Sequence, residues 1–293
     1  MKQARIILNP SSGTEKARTF KEQVVDVLKD RYDVFVEETE GEGDATRFAE
    51  NACIDEIDLL VIMGGDGTIN EVVNGLAEME YRPIIGIIPL GTVNNFPRAI
   101  GLPLRPKKAI ELLKEIKTKH VDVGKVNNGY FINLINIGAL AEATYNVSAE
   151  QKTKFGSLAY FLEGIKTLQE EEKFSVKIET DNESFHEQAM LVLVAITDTV
   201  ASIENVIASA DVNDGFMHLF IMRELNPKEA LSLARAAVRG EIEAEDQIIY
   251  CKTKKISITA DKKLTTNVDG DEGFELPLEI EILPKQLEVV VDE

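Results

Sequence analysis

A glycine-rich turn with an aspartate at its centre is the segment of this chain best suited to chemistry. Residues 64–68 read Gly-Gly-Asp-Gly-Thr, follow the apolar run 59–62, and precede apolar residues at helical spacing from Ile69 to Leu76. This order predicts a strand, a tight turn and the start of a helix. Backbone N–H groups at such a turn can approach an anion closely, and the helix dipole favours negative charge. Because the Asp66 carboxylate would repel a phosphate directly, the turn indicates nucleotide phosphates bound together with a divalent metal ion.

The elements around this turn predict a doubly wound α/β domain with a parallel sheet. Predicted strands lie at 5–8, 34–38, 59–63, 84–89 and 121–125, and predicted helices at 15–30, 44–51, 69–78 and 106–117. The strands are continuous aliphatic runs, which is typical of a parallel sheet covered on both faces. Ligands of such domains bind beyond the carboxyl ends of the strands. The polar turns 9–13, 64–68 and 90–95 follow those ends, so we expect them to form a nucleotide crevice.

The second half of the chain has a different pattern. Predicted strands lie at 130–137, 189–196, 216–222, 255–260, 276–283 and 287–291, separated by Asn-Gly and Asp-Gly turn signals. Two helices are predicted, at 156–170 and at 227–239, the latter with Asn226 as its cap and Pro227 in its first turn. The fold class is therefore α/β followed by an antiparallel β-sandwich. We expect domains at 1–125 and 126–293, with the last few residues as candidates to pack back on the first domain.

Composition narrows the classes of partner. Among 293 residues the net charge is −19, which argues against indiscriminate binding to nucleic acid or to anionic lipid surfaces. The two cysteines, Cys53 and Cys251, are far apart and fit a reducing cytoplasm. The longest apolar stretch, 83–93, is too short to span a bilayer, so any membrane partner must be met from the water side. The three histidines lack ligand spacing and are expected to be strand residues.

Several motifs occur together and in order along the chain. No P-loop and no Rossmann glycine fingerprint are present. The glycine turn instead continues into Asn70-Glu71 and Asn74-Gly75. The further blocks are 89–96 (Pro-Leu-Gly-Thr-Val-Asn-Asn-Phe), 101–103, 154–156 with Tyr160, 214–215 and 268–271. This set resembles the diacylglycerol kinase catalytic-domain family, and within it the soluble bacterial lipid kinases.

The resemblance implies a two-domain kinase that transfers the γ-phosphoryl group of ATP, with Mg²⁺, to a lipid hydroxyl, diacylglycerol by default. It implies a cytoplasmic protein that contacts the inner face of the membrane peripherally. Nucleotide-binding positions would be Asn9, Ser11, Ser12, Gly13, Thr39, Gly64, Gly65, Asp66, Gly67, Thr68, Asn70, Thr92 and Asn95. A magnesium ion would be bound by Asp214, Asp211 and the backbone of Phe216. The catalytic residues would be Asp271, as general base, and Asp66, which could hold a metal or orient the acceptor hydroxyl.

The chain departs from the family pattern at three places. The family usually has Asn-Asp where this chain has Asn94-Asn95, and glutamate where it has Asp271. The loop 197–202 (Thr-Asp-Thr-Val-Ala-Ser) replaces one that often contains Asn and Gly. Two alternatives stay open: an NAD kinase-like phosphotransferase, and a non-catalytic nucleotide- or lipid-binding regulator on the same fold. The identity of the lipid is also open, and so is the oligomeric state, for which a homodimer is one option.

Overall fold

The computed structural model describes residues 1–12, 17–138, 173–200 and 203–292. The chain divides into two compact units, Met1–Val123 with Pro284–Glu293 (unit 1) and Gly124–Leu283 (unit 2). The predicted helix 156–170, the motif at 154–156 with Tyr160, and Gly13 lie outside the described residues.

Unit 1 alternates strands and helices as the sequence predicts. Its elements are β1 (Lys2–Leu8), α1 (Ala17–Leu28), β2 (Tyr32–Glu38), α2 (Asp44–Ile54), β3 (Leu59–Gly64), α3 (Asp66–Leu76), β4 (Ile84–Pro89), α4 (Asn95–Ala99), α5 (Pro106–Leu112) and most of β5 (Thr118–Val126). The strand order is β2-β1-β3-β4, and each of these neighbouring pairs is parallel. The carboxyl ends of these four strands therefore lie along one edge of the sheet.

Apolar burial on both faces explains the continuous aliphatic strands of unit 1. Every residue of β3 is buried, as are five of the six residues of β4. On one face, Ile6, Val61 and Ile88 share a core with residues of α1 and α5. Helices α2 and α3 pack on each other and contact β1 and β3. The prediction of a parallel-sheet first domain is confirmed.

Unit 2 is built from antiparallel strands. These are β6 (Gly129–Phe131), β7 (Leu134–Gly138), β8 (Phe174–Thr180), β9 (Ser184–Ala189), β10 (Leu191–Ala195), β11 (Met217–Met222), β12 (Ile248–Thr253), β13 (Lys255–Ala260), β14 (Thr265–Val268), β15 (Asp271–Glu275) and the first half of β16 (Leu278–Val290). One sheet has the order β12-β11-β10-β7-β14-β15, and β16, β13, β8 and β9 pair in that order in a second.

The two sheets of unit 2 pack face to face, and a helix covers the far side of one of them. Val192 and Leu219 of one sheet share a core with Ile178 and Ile256 of the other. On the opposite face, Leu193 belongs to a second core with residues of α6 (Pro227–Arg239). Strands β10 and β11 are consequently buried at every residue. The prediction of a β-sandwich is confirmed, and the predicted helix 227–239 is observed at those bounds with Asn226 in a capping box.

Three predicted boundaries are wrong, two in or at the end of unit 2 and one in unit 1. The expected strand 130–137 is two strands, because the Asp269 carboxylate accepts the backbone N–H groups between them. The expected strands 276–283 and 287–291 are one strand, β16, whose Lys285 has φ 51° and donates its N–H to Asp122 Oδ1 at 2.6 Å. The expected helix 106–117 ends at Leu112.

Helices α2 and α3 meet at a glycine, and this contact generates a prediction. A Cβ on Gly75 would lie 2.3 Å from the Thr46 carbonyl oxygen, a backbone atom that cannot rotate away. We expect Gly75→Ala to lower the free energy of unfolding by roughly 2 kcal/mol, since overpacking exceeds the helix propensity that alanine adds. Urea denaturation measures this loss.

The matched control is Gly41→Ala, because a Cβ on Gly41 meets nothing within 4 Å. We expect that variant to stay within about 0.5 kcal/mol of the wild type. Equal stability of the two variants would show that the α2–α3 contact does not require glycine.

Candidate functional site

The Asn9 side chain joins the first turn of unit 1 to the glycine turn. Its Nδ2 donates to Thr68 Oγ1 at 3.0 Å, and its Oδ1 accepts the Ser11 backbone N–H at 3.0 Å and the Ser11 hydroxyl at 2.7 Å. The backbone N–H of Ser12 donates to the Asn9 carbonyl at 3.2 Å. Two of the predicted nucleotide-binding turns are therefore held by one amide group.

The glycine turn and the turn after β4 approach each other through backbone atoms. A Cβ on Gly65 would lie 3.1 Å from Gly91 Cα, and a Cβ on Gly91 would lie 2.7 Å from Gly65 Cα. A Cβ on Gly64 would lie 2.5 Å from the side chain of Thr68. Side chains are thus excluded from three positions at this edge, and at half-buried Gly65 and Gly91 the backbone itself is partly exposed.

Asn94 shapes the turn after β4. Its φ is 53°, in the left-handed region, and its Nδ2 donates to the Gly91 carbonyl at 2.8 Å. The side-chain oxygen of Asn94 is buried and accepts no hydrogen bond from the residues that the structure describes. Predicted site residues Thr92 and Asn95 are exposed and half-buried, respectively. Asn94 was not among the predicted site residues, although its place in the 89–96 motif was a signal.

Asp66 opens helix α3 beside these turns. It lies in the first helical turn and is half-buried, while Gly67 is exposed and Thr68 is buried. Negative charge at a helix N-terminus is stabilised by the helix dipole, which explains why a carboxylate is tolerated there. One turn further on, Asn70 Oδ1 accepts the Asn74 amide at 3.0 Å.

The turn after β2 is attached to α3 through Glu71. The backbone N–H of Thr39 donates to Leu8 at 2.9 Å, which places that residue next to the end of β1. The Glu71 carboxylate accepts the backbone N–H groups of Gly43 and Ala45 at 3.0 and 3.1 Å. Glu71 therefore ties the turn after β2 to the helix that follows the glycine turn. In the sequence, Glu71 belongs to the motif that follows the glycine turn, but no role was predicted for it.

In unit 2, Asp271 stands at the first position of a strand that follows a two-residue hairpin turn. Asp269 and Gly270 have φ values of 53° and 110°, and Val268 pairs with Asp271. Two consecutive positive φ angles are the geometry for which Asp-Gly is favoured in hairpins. The Asp271 side chain is exposed. Asp66 and Asp271 lie in different units, and their pairing in catalysis stays a prediction.

The hairpin turn before Asp271 is anchored by Asp269. Its carboxylate accepts the backbone N–H groups of Ile132, Asn133 and Leu134 at 2.7, 2.8 and 3.0 Å. The side chain is buried, with 7% exposure. The Gly270 N–H donates to Asn267 Oδ1 at 3.0 Å. Asp269 is a residue that sequence reasoning treated only as part of a turn signal.

Asp214, a predicted metal ligand, lies in a dense network in unit 2. Its Oδ1 accepts the Phe216 N–H at 2.9 Å, and its Oδ2 lies 2.7 Å from Lys252 Nζ and 3.4 Å from His218 Nε2. Burial by itself raises the pKa of Asp214, but the hydrogen bonds from His218, Lys252 and Phe216 outweigh it and lower the pKa below its ordinary value. Asp211, the other predicted carboxylate ligand, is exposed.

Magnesium was predicted to bind at two sites, the glycine turn with Asp66 and the turn with Asp214. The groups available to ligate a metal ion differ between them. Magnesium prefers oxygen ligands from carboxylates and water. The glycine turn fits, because Asp66 offers a carboxylate and Asn94 a buried acceptor oxygen. The turn at Asp214 does not fit, because an ammonium group already lies 2.7 Å from its carboxylate. In the described ranges no group of three or more His, Cys, Asp or Glu side chains is arranged to hold a metal ion.

Two protein-family models match the chain and indicate which class of enzyme it resembles. A model described as the diacylglycerol kinase catalytic domain matches residues 3–126. A model described as the YegS C-terminal NAD kinase beta sandwich-like domain matches residues 133–291. The two models together account for most of the chain and define it as a kinase of the lipid kinase type.

Relatives over the full length agree with this class. A diacylglycerol kinase from Bacillus subtilis is 40% identical over 99% of this chain and 97% of its own. One from Staphylococcus epidermidis is 39% identical over 98% of this chain and 92% of its own. A crystal structure from Bacillus anthracis has 30% identity and a TM-score of 0.86, covering 99% of this chain and 97% of that one. The chain belongs to the diacylglycerol kinase family, as the motifs predicted.

The three N–H groups bound by Asp269 generate a second prediction. Asp269→Ala leaves them without an acceptor in a buried position, and each unpaired buried group costs roughly 1–3 kcal/mol. We expect the free energy of unfolding to fall by about 3 kcal/mol or more. Chemical denaturation of the purified variant measures this fall.

Asp261→Ala is the matched control for that variant. Asp261 is exposed and accepts one backbone N–H, from Ser175 at 3.0 Å. We expect a loss of about 1 kcal/mol or less there. If both variants lost the same small amount, Asp269 would not anchor the hairpin.

Proposed function

We propose that this protein is an ATP-dependent lipid kinase that transfers the γ-phosphoryl group of ATP to a hydroxyl of diacylglycerol. The observation that supports this most is the convergence of interlocked turns at the carboxyl edge of the unit 1 sheet, where Gly65 and Gly91 are in backbone contact. Family membership supports the class of reaction, and the names of the relatives support the acceptor. The protein acts in the cytoplasm, in peripheral contact with the inner face of the membrane.

The donor site is the backbone of the glycine turn. Gly64, Gly65 and Gly67 place no side chain over the backbone of this turn, and the N–H groups of the first turn of α3 are directed toward the N-terminal end of the helix. The predicted neighbours Asn9, Ser11, Ser12, Thr39, Asn70, Thr92 and Asn95 lie in or next to the turns of the same sheet edge. Phosphoryl transfer depends mainly on positioning and on neutralising charge, which a rigid backbone surface serves well.

Asp66 offers a side-chain carboxylate at this edge that can bind a magnesium ion. When bound, Mg²⁺ neutralises phosphate oxygen charge. The buried Asn94 oxygen can accept a hydrogen bond from a water molecule or a hydroxyl group at the same turn. Asn95 replaces the family aspartate, so Asp66 supplies the carboxylate for this role in the motif.

Asp271 is the proposed general base. It accepts the proton of the lipid hydroxyl while the hydroxyl oxygen bonds to the γ-phosphorus and the bond to the β-phosphate oxygen breaks, leaving ADP. Its exposure makes it accessible to an acceptor. A glutamate would reach one methylene further, and such differences in position matter in phosphoryl transfer.

Removal of either carboxylate is expected to lower turnover severely. Asp271→Ala should lower kcat by about 10²–10⁴-fold, the usual contribution of a general base, without weakening ATP binding. Asp66→Ala should remove lipid phosphorylation and also weaken binding of magnesium–ATP. Transfer of label from γ-labelled ATP to diacylglycerol in mixed micelles, together with calorimetric titration of ATP, measures both effects.

Two variants serve as controls for these losses. Glu272→Gln changes the next exposed acid of the same strand and should keep full activity. Asp271→Glu keeps a carboxylate and should keep measurable activity where alanine does not. Undiminished turnover in Asp66→Ala or in Asp271→Ala would refute the proposed mechanism.

The acceptor is tested by competition between substrate classes. The same labelled ATP is offered with diacylglycerol, with a total lipid extract and with NAD, and the labelled product is identified. Label in NADP would identify the NAD kinase alternative, and label in another lipid would change the acceptor. ATP binding without transfer to any of them would identify a non-catalytic regulator.

Among the described residues no helix is long and apolar enough to cross a membrane.

A further inference from the structure

Lys252 projects its ammonium group into the turn 211–216 of unit 2. It stands on β12 opposite His218 of β11, and Nζ lies 2.7 Å from Asp214 Oδ2. The same Nζ lies 4.7 Å from the centroid of the Phe216 ring. A carboxylate and an aromatic face are two surfaces that attract a cation. The ammonium group is therefore bound by two residues of the turn.

Asp214 accepts two further hydrogen bonds besides the one from Lys252. Oδ1 accepts the Phe216 N–H at 2.9 Å, and Oδ2 is 3.4 Å from His218 Nε2. His218 is fully buried, and its Nδ1 lies 2.9 Å from Tyr250 Oη and 3.3 Å from Ser209 Oγ. A carboxylate can only accept, so Nε2 carries the proton in its bond to Asp214. The His218 ring is therefore held through both of its nitrogen atoms. Its Nε2–H is a second donor to Asp214 Oδ2, the oxygen that Lys252 also contacts.

A divalent ion on this carboxylate would have to sit beside a positive charge. An ion bound to Oδ2 would meet the Lys252 ammonium at the same atom, where like charges repel. Magnesium also demands near-octahedral oxygen ligation, and the N–H groups of Lys252, His218 and Phe216 occupy the approaches to Asp214 without offering a ligand oxygen. The Lys252 side chain is 35% exposed and that of Asp214 is 17% exposed, so water screens the repulsion only in part.

We propose that the ammonium group of Lys252 is the resident cation of the turn 211–216, in the place where the family resemblance puts a magnesium ion on Asp211, Asp214 and Phe216. The turn then keeps its shape without a divalent metal. Under the proposed kinase function, magnesium is then required only at the nucleotide site beside Asp66. This inference concerns unit 2 and holds whatever the acceptor of the kinase reaction is.

The test compares thermal unfolding of the full chain without nucleotide, in EDTA and in millimolar MgCl₂. We expect the wild-type Tm to be the same in both, or to respond to Mg²⁺ equally in wild type and Asp214→Asn. Lys252→Met should lower the Tm in EDTA more than Lys263→Met, whose side chain is 88% exposed. Lys252→Arg, which keeps the charge, should recover part of the loss.

Two results would overturn the proposal. The first is a Mg²⁺-dependent rise of the wild-type Tm that Asp214→Asn abolishes, which would place a metal on this carboxylate. The second is a Lys252→Met variant as stable as Lys263→Met, which would show that the ammonium does not hold the turn. If Lys252→Met fails to fold, the comparison of wild type with Asp214→Asn still decides between lysine and metal.

Discussion

Backbone contact between two turns is the constraint on which the first unit depends. Gly65 and Gly91 approach so closely that a single Cβ on either would reach the other's Cα at 3.1 Å or less. The contact requires that β3 and β4 run parallel and end together, as their register from Leu59↔Ile84 to Gly64↔Pro89 shows. Asn9 and Glu71 then attach the turns after β1 and β2 to the same edge. Backbone atoms therefore form the surface that a ligand would contact, and their positions do not change when side chains change rotamer.

In unit 2, two aspartates are held in turns between strands, Asp269 in the hairpin before β15 and Asp214 in the turn before β11. Asp269 does this by accepting three N–H groups, and Asp214 by pairing with Lys252 and His218. In both cases the carboxylate accepts charge-assisted hydrogen bonds that hold the turn. Exposed Asp271 follows directly on the first of these fixed turns, so its position is as well defined as the hairpin is.

Strands and helices were predicted most reliably from the sequence where the local residue pattern and the tertiary environment favour the same structure. Strand 84–89 and helix 227–239 were placed correctly, since the first is an uninterrupted buried run and the second has a cap and a first-turn proline. Strand β9 was missed because its Ser-Phe-His-Glu-Gln-Ala sequence alternates weakly at a sheet edge. Asp269 could not be predicted, because its partners are more than 130 residues away. Lys252 and Asp214 are 38 residues apart, and no short motif joins them.

The path of β16 has a consequence for how the protein is made. Its last residues belong to unit 1, where Val289 pairs with Ile85 of β4 and Val291 donates to the Lys117 carbonyl at 3.0 Å. All of unit 2 is synthesised before these residues leave the ribosome. Until then, the sheet of unit 1 presents β4 as an open edge of buried apolar residues, a template for unwanted strand addition. The nascent chain is therefore exposed to unwanted strand addition at β4 until the residues of β16 that pair with that strand have been synthesised.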